Sequence, residues 1–104
     1  MGTMKYKGKS YEVDSNNFLV DYNNWDKDFV KGMAQRLGMA EDLAKEQWDV
    51  INFIRNSYKE TGICPNVYET CRICNLRAHE LWTLFPNGYL RGACKLSGIS
   101  YKEG

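Results

Sequence analysis

A chain of 104 residues supports one domain around one core, and its 43% hydrophobic content with only 2 prolines is that of a folded protein. Neither a run of about 18 apolar residues nor an apolar leader after Met1 is present, so a membrane span or secretory signal is not expected. Lys and Arg number 14 against 13 Asp and Glu, a net charge of +1 that does not demand a nucleic-acid partner.

Met1-Gly2-Thr3 reads as a cloning remnant ahead of a native start at Met4. Lys5 to Val13 places aromatic and β-branched residues on either side of a Gly-containing turn, a hairpin signal. Such a hairpin is marginal alone and must lean on helices. Residues 14–24 are rich in Asp and Asn and read as a loop whose apolar centre, Phe18-Leu19-Val20, plugs into the core.

Helical periodicity follows. Trp25, Phe29, Met33 and Leu37 fall four apart, with Asn24 as the expected N-cap and Gly38 as the stop. Leu43, Trp48, Ile51, Ile54 and Tyr58 mark a longer helix ending at Thr61-Gly62. Pro65 is placed to open a third, with Val67, Cys71 and Cys74 on one face. Asn75 separates it from a fourth carrying Leu81, Leu84 and Phe85, which ends at Pro86-Asn87-Gly88. A fifth runs from Tyr89 to about Ser97 and ends at Gly98. Residues 99–104 carry no packing pattern and read as a mobile tail. The expected fold is mainly α: a compact bundle of about five helices with an N-terminal β-hairpin and a flexible C-terminal arm.

Four cysteines, Cys64, Cys71, Cys74 and Cys94, are read as free thiols in a reducing cytoplasm, because the core needs no staples. Cys71-Arg72-Ile73-Cys74 puts two sulfurs on one helical face, which suits packing, a redox dithiol or half of a metal site. A zinc set would have to draw on Cys64, Cys94 or His79, and no metal is assigned. His79 itself reads as a solvated helix residue.

Leu84-Phe85-Pro86-Asn87-Gly88, followed by Gly92-Ala93-Cys94-Lys95-Leu96-Ser97-Gly98, is similar to the closing segment of the DsrC/TusE family. That family includes the gamma subunit of dissimilatory sulfite reductase and its sulfur-relay relatives. Tyr6-Lys7-Gly8-Lys9, Phe18-Leu19 with Trp25, the run Trp48 to Arg55, Tyr58, and Gly62-Ile63-Cys64-Pro65 extend the resemblance collinearly over residues 5–99. It implies a helical bundle with a C-terminal arm. It also implies a carrier that is no catalyst by itself and needs no cofactor, a sulfurtransferase-type protein co-substrate. Sulfite reductase or sulfurtransferase-relay proteins would be its partners.

In the family a cysteine next to the C-terminus accepts sulfur, and a second about eleven residues earlier closes a disulfide or trisulfide with it. The earlier one maps onto Cys94, the expected sulfur-accepting or resolving thiol on an arm from Tyr89 to Gly104. Arg91 and Lys95 are expected to lower its pKa. Counting eleven on from Cys94 passes Gly104, so the family's arm disulfide is not expected within this sequence unless another cysteine substitutes. Gln47 stands where the family often has His and Tyr68 where Arg is common, which sets the sulfite reductase contact apart from the family pattern. The competing reading is a helix-turn-helix-like regulatory or nucleic-acid-binding protein. Residues 65–85 make two short helices around Asn75, though Arg77, His79 and Glu80 offer little positive charge.

Overall fold

The computed structural model of the chain describes residues 2–99. Two antiparallel strands, β1 (Gly2–Tyr6) and β2 (Lys9–Val13), open the fold, registered from Gly2 opposite Val13 to Tyr6 opposite Lys9. Lys7 and Gly8 both take positive φ, 48° and 81°, the pairing a two-residue turn needs to match strand twist. Gly2 and Thr3, read from sequence as a remnant, pair with Val13 and Glu12 and so belong to β1.

The side-chain alternation of the strands buries Met4, Tyr6, Tyr11 and Val13 on one face. Helix α1 (Lys27–Arg36) packs there, with Phe29, Val30, Met33 and Ala34 buried. Gly32 permits the close approach: a Cβ on it would lie 2.9 Å from Tyr6 Cβ. The cap of α1 is Asp26, not Asn24, because the Asp26 carboxylate accepts the Phe29 N–H at 2.8 Å. That carboxylate also accepts from the Tyr11 hydroxyl at 2.6 Å and from Lys9 at 3.2 Å, tying hairpin to helix.

Leu19 is buried and bridges Val13, while Val20 stays exposed, so the loop enters the core through one side chain. Helix α2 (Lys45–Thr61) buries Val50, Ile51 and Ile54 and stops at Gly62. Helix α3 (Val67–Ile73) begins after Pro65 rather than at it, capped by the Asn66 side chain on the Glu69 N–H at 2.8 Å. Helix α4 (Ala78–Leu84) follows and contributes Leu81, with Phe85 just beyond.

The last helix, α5 (Tyr89–Cys94), is wound as a π-helix, with the Ala93 N–H reaching the Gly88 carbonyl five residues back at 3.3 Å. Single π turns of this kind recur at functional sites. The segment after it is core rather than a free arm: Leu96, Ser97 and Ile99 have almost no exposed surface. Ile99 therefore departs from the expected tail, and residues 100–104 lie outside the described residues. Among the described residues no helix is long and apolar enough to cross a membrane.

Candidate functional site

The C-terminal segment is held from two sides. Trp25, extended just before Asp26, donates its indole N–H to the Leu96 carbonyl at 2.9 Å. Arg55 of α2 donates to the Ser97 carbonyl at 2.9 Å while its guanidinium stacks 3.9 Å from the Tyr22 ring and 4.0 Å from the Trp25 ring. Gly98 completes the fit. Its φ is 73°, and a Cβ there would lie 2.5 Å from Trp25 Cδ1. These contacts fix the backbone immediately after Cys94.

From the other side comes the connection between α2 and α3. Ending α2 at Gly62 turns the chain through Ile63, Cys64 and Pro65 and leaves Cys64 half-buried. The π winding of α5 carries Cys94 inward until it has no exposed surface. The two sulfurs meet at 3.1 Å, although the residues are 30 apart in sequence. Among the described residues this is the only sulfur–sulfur approach of hydrogen-bond length.

Tyr89 roofs the pair. Its hydroxyl lies 2.8 Å from Thr70 Oγ1 and 4.0 Å from Cys64 Sγ, and it donates to the Pro65 carbonyl at 2.5 Å. A phenol has one proton, and the short contact to Pro65 wins it over the long one to sulfur. Burial holds the Tyr89 phenol well above its ordinary range, so it stays neutral.

The thiols are unequal. Hydrogen bonding from Cys94 lowers the Cys64 pKa, against an opposing effect of burial. The Cys64 sulfur beside it, and then burial, push the Cys94 thiol far up. Either sulfur can donate in the 3.1 Å contact; with the proton on the buried Cys94, the half-buried Cys64 gains thiolate character, the reactive form. An apolar hollow of about 250 Å³, lined by Val67, Tyr68, Trp82, Tyr89 and Leu90, opens beside Tyr89.

Other residues singled out by sequence fall elsewhere. Arg91 is exposed, and Lys95 lies 4.9 Å over the Phe18 ring; both line a cleft with residues 15–18. Neither charge is among the causes of the Cys94 shift, which is upward and set by Cys64 and then burial. Cys71 and Cys74 are half-buried, and burial raises both thiols, the reverse of an activated redox pair. No group of three or more His, Cys, Asp or Glu that could hold a metal ion occurs among the described residues. His79 is exposed.

A family model described as DsrC like protein matches residues 5–103. The chain belongs to the DsrC-like family. It is 33% identical over 104 residues to the gamma subunit of the dissimilatory-type sulfite reductase of Nitratidesulfovibrio vulgaris Hildenborough, covering 100% of this chain and 98% of that one. A sulfurtransferase TusE of Pectobacterium atrosepticum is 25% identical over 103 residues, covering 92% and 93%. In the crystal structure of dissimilatory sulfite reductase I, one chain superposes with a TM-score of 0.92 at 28% identity, covering 99% of this chain and 98% of that one.

DsrC-like membership does not favour the helix-turn-helix reading. Two departures from the family pattern take on structural roles. Gln47 accepts the Ala44 N–H at 2.7 Å, closing the start of α2, and donates to the Leu84 carbonyl at 2.6 Å, joining it to α4. Tyr68 is 83% exposed on the rim of the apolar hollow. Sequence reasoning found Cys94 and missed its setting: Cys64 was weighed only as a metal ligand, and Tyr89, Thr70, Arg55 and Trp25 were given no part.

Proposed function

We propose that this chain is a sulfur-relay carrier of the DsrC/TusE type, a protein co-substrate rather than a catalyst by itself. Its partners belong to a dissimilatory sulfite reductase or a sulfurtransferase relay. Cys94 is one of its exchanging thiols. The observation that carries the reading is the meeting of Cys94 with a second sulfur at 3.1 Å on a chain of this family. Sulfur transfer proceeds by thiolate attack on a persulfide or disulfide sulfur, and such a pair supplies both an attacking and a resolving group.

The test loads the reduced full-length chain with inorganic polysulfide, removes the excess, and counts sulfur retained by intact mass together with sulfide released. One sulfur atom handled per chain is expected, persisting in Cys71→Ser/Cys74→Ser and lost in Cys64→Ser/Cys94→Ser. A chain that takes up no sulfur, or takes it up at Cys71 or Cys74, contradicts the reading.

A further inference from the structure

Thirty residues of sequence separate Cys64 from Cys94, and each reaches the other by a local irregularity: the turn after Gly62 for one, the π winding of α5 for the other. A disulfide needs its sulfurs at about 2.05 Å, so closing the observed 3.1 Å calls for about 1 Å of movement. Exposure divides the roles. Cys64 is half-buried and keeps some exposed surface, whereas Cys94 has none and lies 3.1 Å from the Cys64 sulfur. The backbone beyond Cys94 is anchored by Trp25 and Arg55, so the buried thiol is held against its neighbour.

We propose that Cys64 is the thiol that accepts sulfur, and that Cys94 releases it by closing a Cys64–Cys94 disulfide. This rests on the relay reading and assigns the order of events within it. In the first step the Cys64 thiolate attacks the outer sulfur of a donor persulfide, R–S–SH. The new bond is Cys64 Sγ–S, the donor S–S bond breaks, and R–SH leaves with the proton, giving Cys64–S–S⁻. In the second step the Cys94 sulfur attacks Cys64 Sγ. The Sγ–Sγ bond forms, the bond to the outer sulfur breaks, and that sulfur departs as HS⁻ with the Cys94 proton. The two thiols are oxidised by two electrons and the sulfane sulfur is reduced to sulfide. A dithiol reductant then returns the pair to its starting state and becomes a disulfide itself.

The contact between the two sulfurs makes Cys64, the partly exposed one, the first nucleophile, and in the second step the persulfide anion on Cys64 takes the Cys94 proton, so that Cys94 attacks as a thiolate. Tyr89 positions Cys64 by fixing the Pro65 carbonyl next to it and is not assigned a proton-transfer step.

The experiment treats the reduced full-length chain with inorganic polysulfide, quenches with an alkylating reagent, and maps cysteine peptides without reduction. The parent is expected to yield a Cys64–Cys94 disulfide and one sulfide per chain. Cys94→Ser, with Cys94→Ala as a second variant should the serine perturb the core, is expected to hold a persulfide on Cys64 and release no sulfide. Cys64→Ser is expected to take up sulfur at least roughly tenfold more slowly. Uptake by Cys64→Ser at the parental rate overturns the proposal, as does a parental disulfide joining any other pair. A parent that stays loaded as a persulfide overturns it as well. In each of those cases sulfur is still carried and the relay reading stands, unless the sulfur is taken up at Cys71 or Cys74; that result, or uptake by no chain, removes both.

Discussion

Replacing Arg55 by Ala removes the clamp on the segment that holds Cys94. The guanidinium stacks on two rings, at 3.9 and 4.0 Å, and donates to the Ser97 carbonyl at 2.9 Å. Each stacked pair at a half-buried site contributes about 1 kcal/mol, and a hydrogen bond from a charged donor about 1.5–3. Against this stands hydration already lost, since burial lowers the Arg55 pKa below its ordinary value. The net destabilisation expected is about 2–3 kcal/mol. With an m-value of about 1.5 kcal/mol/M, the urea midpoint falls by about 1.3–2 M with an unchanged slope. Arg55→Lys keeps the charge but loses the planar fork, and recovers less than half of the loss. Alkylation of Cys94 under native conditions accelerates in Arg55→Ala, because the segment opens more often. A midpoint shift below about 0.3 M with unchanged Cys94 labelling refutes the clamp.

Phe29 has no exposed surface and meets Tyr11 edge-on at 5.4 Å, so Phe29→Ala is expected to cost about 3–5 kcal/mol in denaturant unfolding; a loss under about 1 contradicts its central place. Asp26 gives a pH signature. Burial raises its pKa, but hydrogen bonds from Tyr11, the Phe29 N–H and Lys9 outweigh that and lower it below 3.8. A lowered folded-state pKa contributes stability above the unfolded value that is lost as pH falls through the folded one, so stability drops below about pH 4 and Asp26→Asn flattens that drop. An unchanged acid limb in the variant contradicts the assignment. Gly98→Ala forces a side chain into a φ of 73° and against Trp25, and is expected to destabilise by about 2 kcal/mol in the same urea assay; a neutral result removes the packing argument.

The hairpin, the long α2 and the order of the helices were legible because they rest on local patterns: alternation in Met4 to Val13 and spacing of Ile51, Ile54 and Tyr58. Cap identity was less so. Asn24 and Asp26 are both good caps by composition, and the choice fell to Asp26 because Tyr11 and Lys9 converge on it from the hairpin. The burial of Ile99 depends on Trp25 and Arg55 gripping the chain just ahead of it, which no periodicity within residues 95–99 announces. The same holds at the site. Cys94 was found through its family motif, but its meeting with Cys64 needs α2, α3 and α5 to be placed first. Charges next to Cys94 in sequence suggested an activated thiol. Arg91 and Lys95 instead line the cleft at residues 15–18, and Cys94 is buried in the core against the Cys64 sulfur.

The most direct test of the sulfur-carrier account is to isolate the protein from its source with alkylating reagent present at lysis and to analyse its unreduced Cys64 and Cys94 peptides by mass. The account predicts a fraction of chains with Cys64 joined to Cys94 or bearing an extra sulfur on Cys64. Both thiols fully alkylated, with neither adduct nor disulfide while the cells are reducing sulfur compounds, would contradict it.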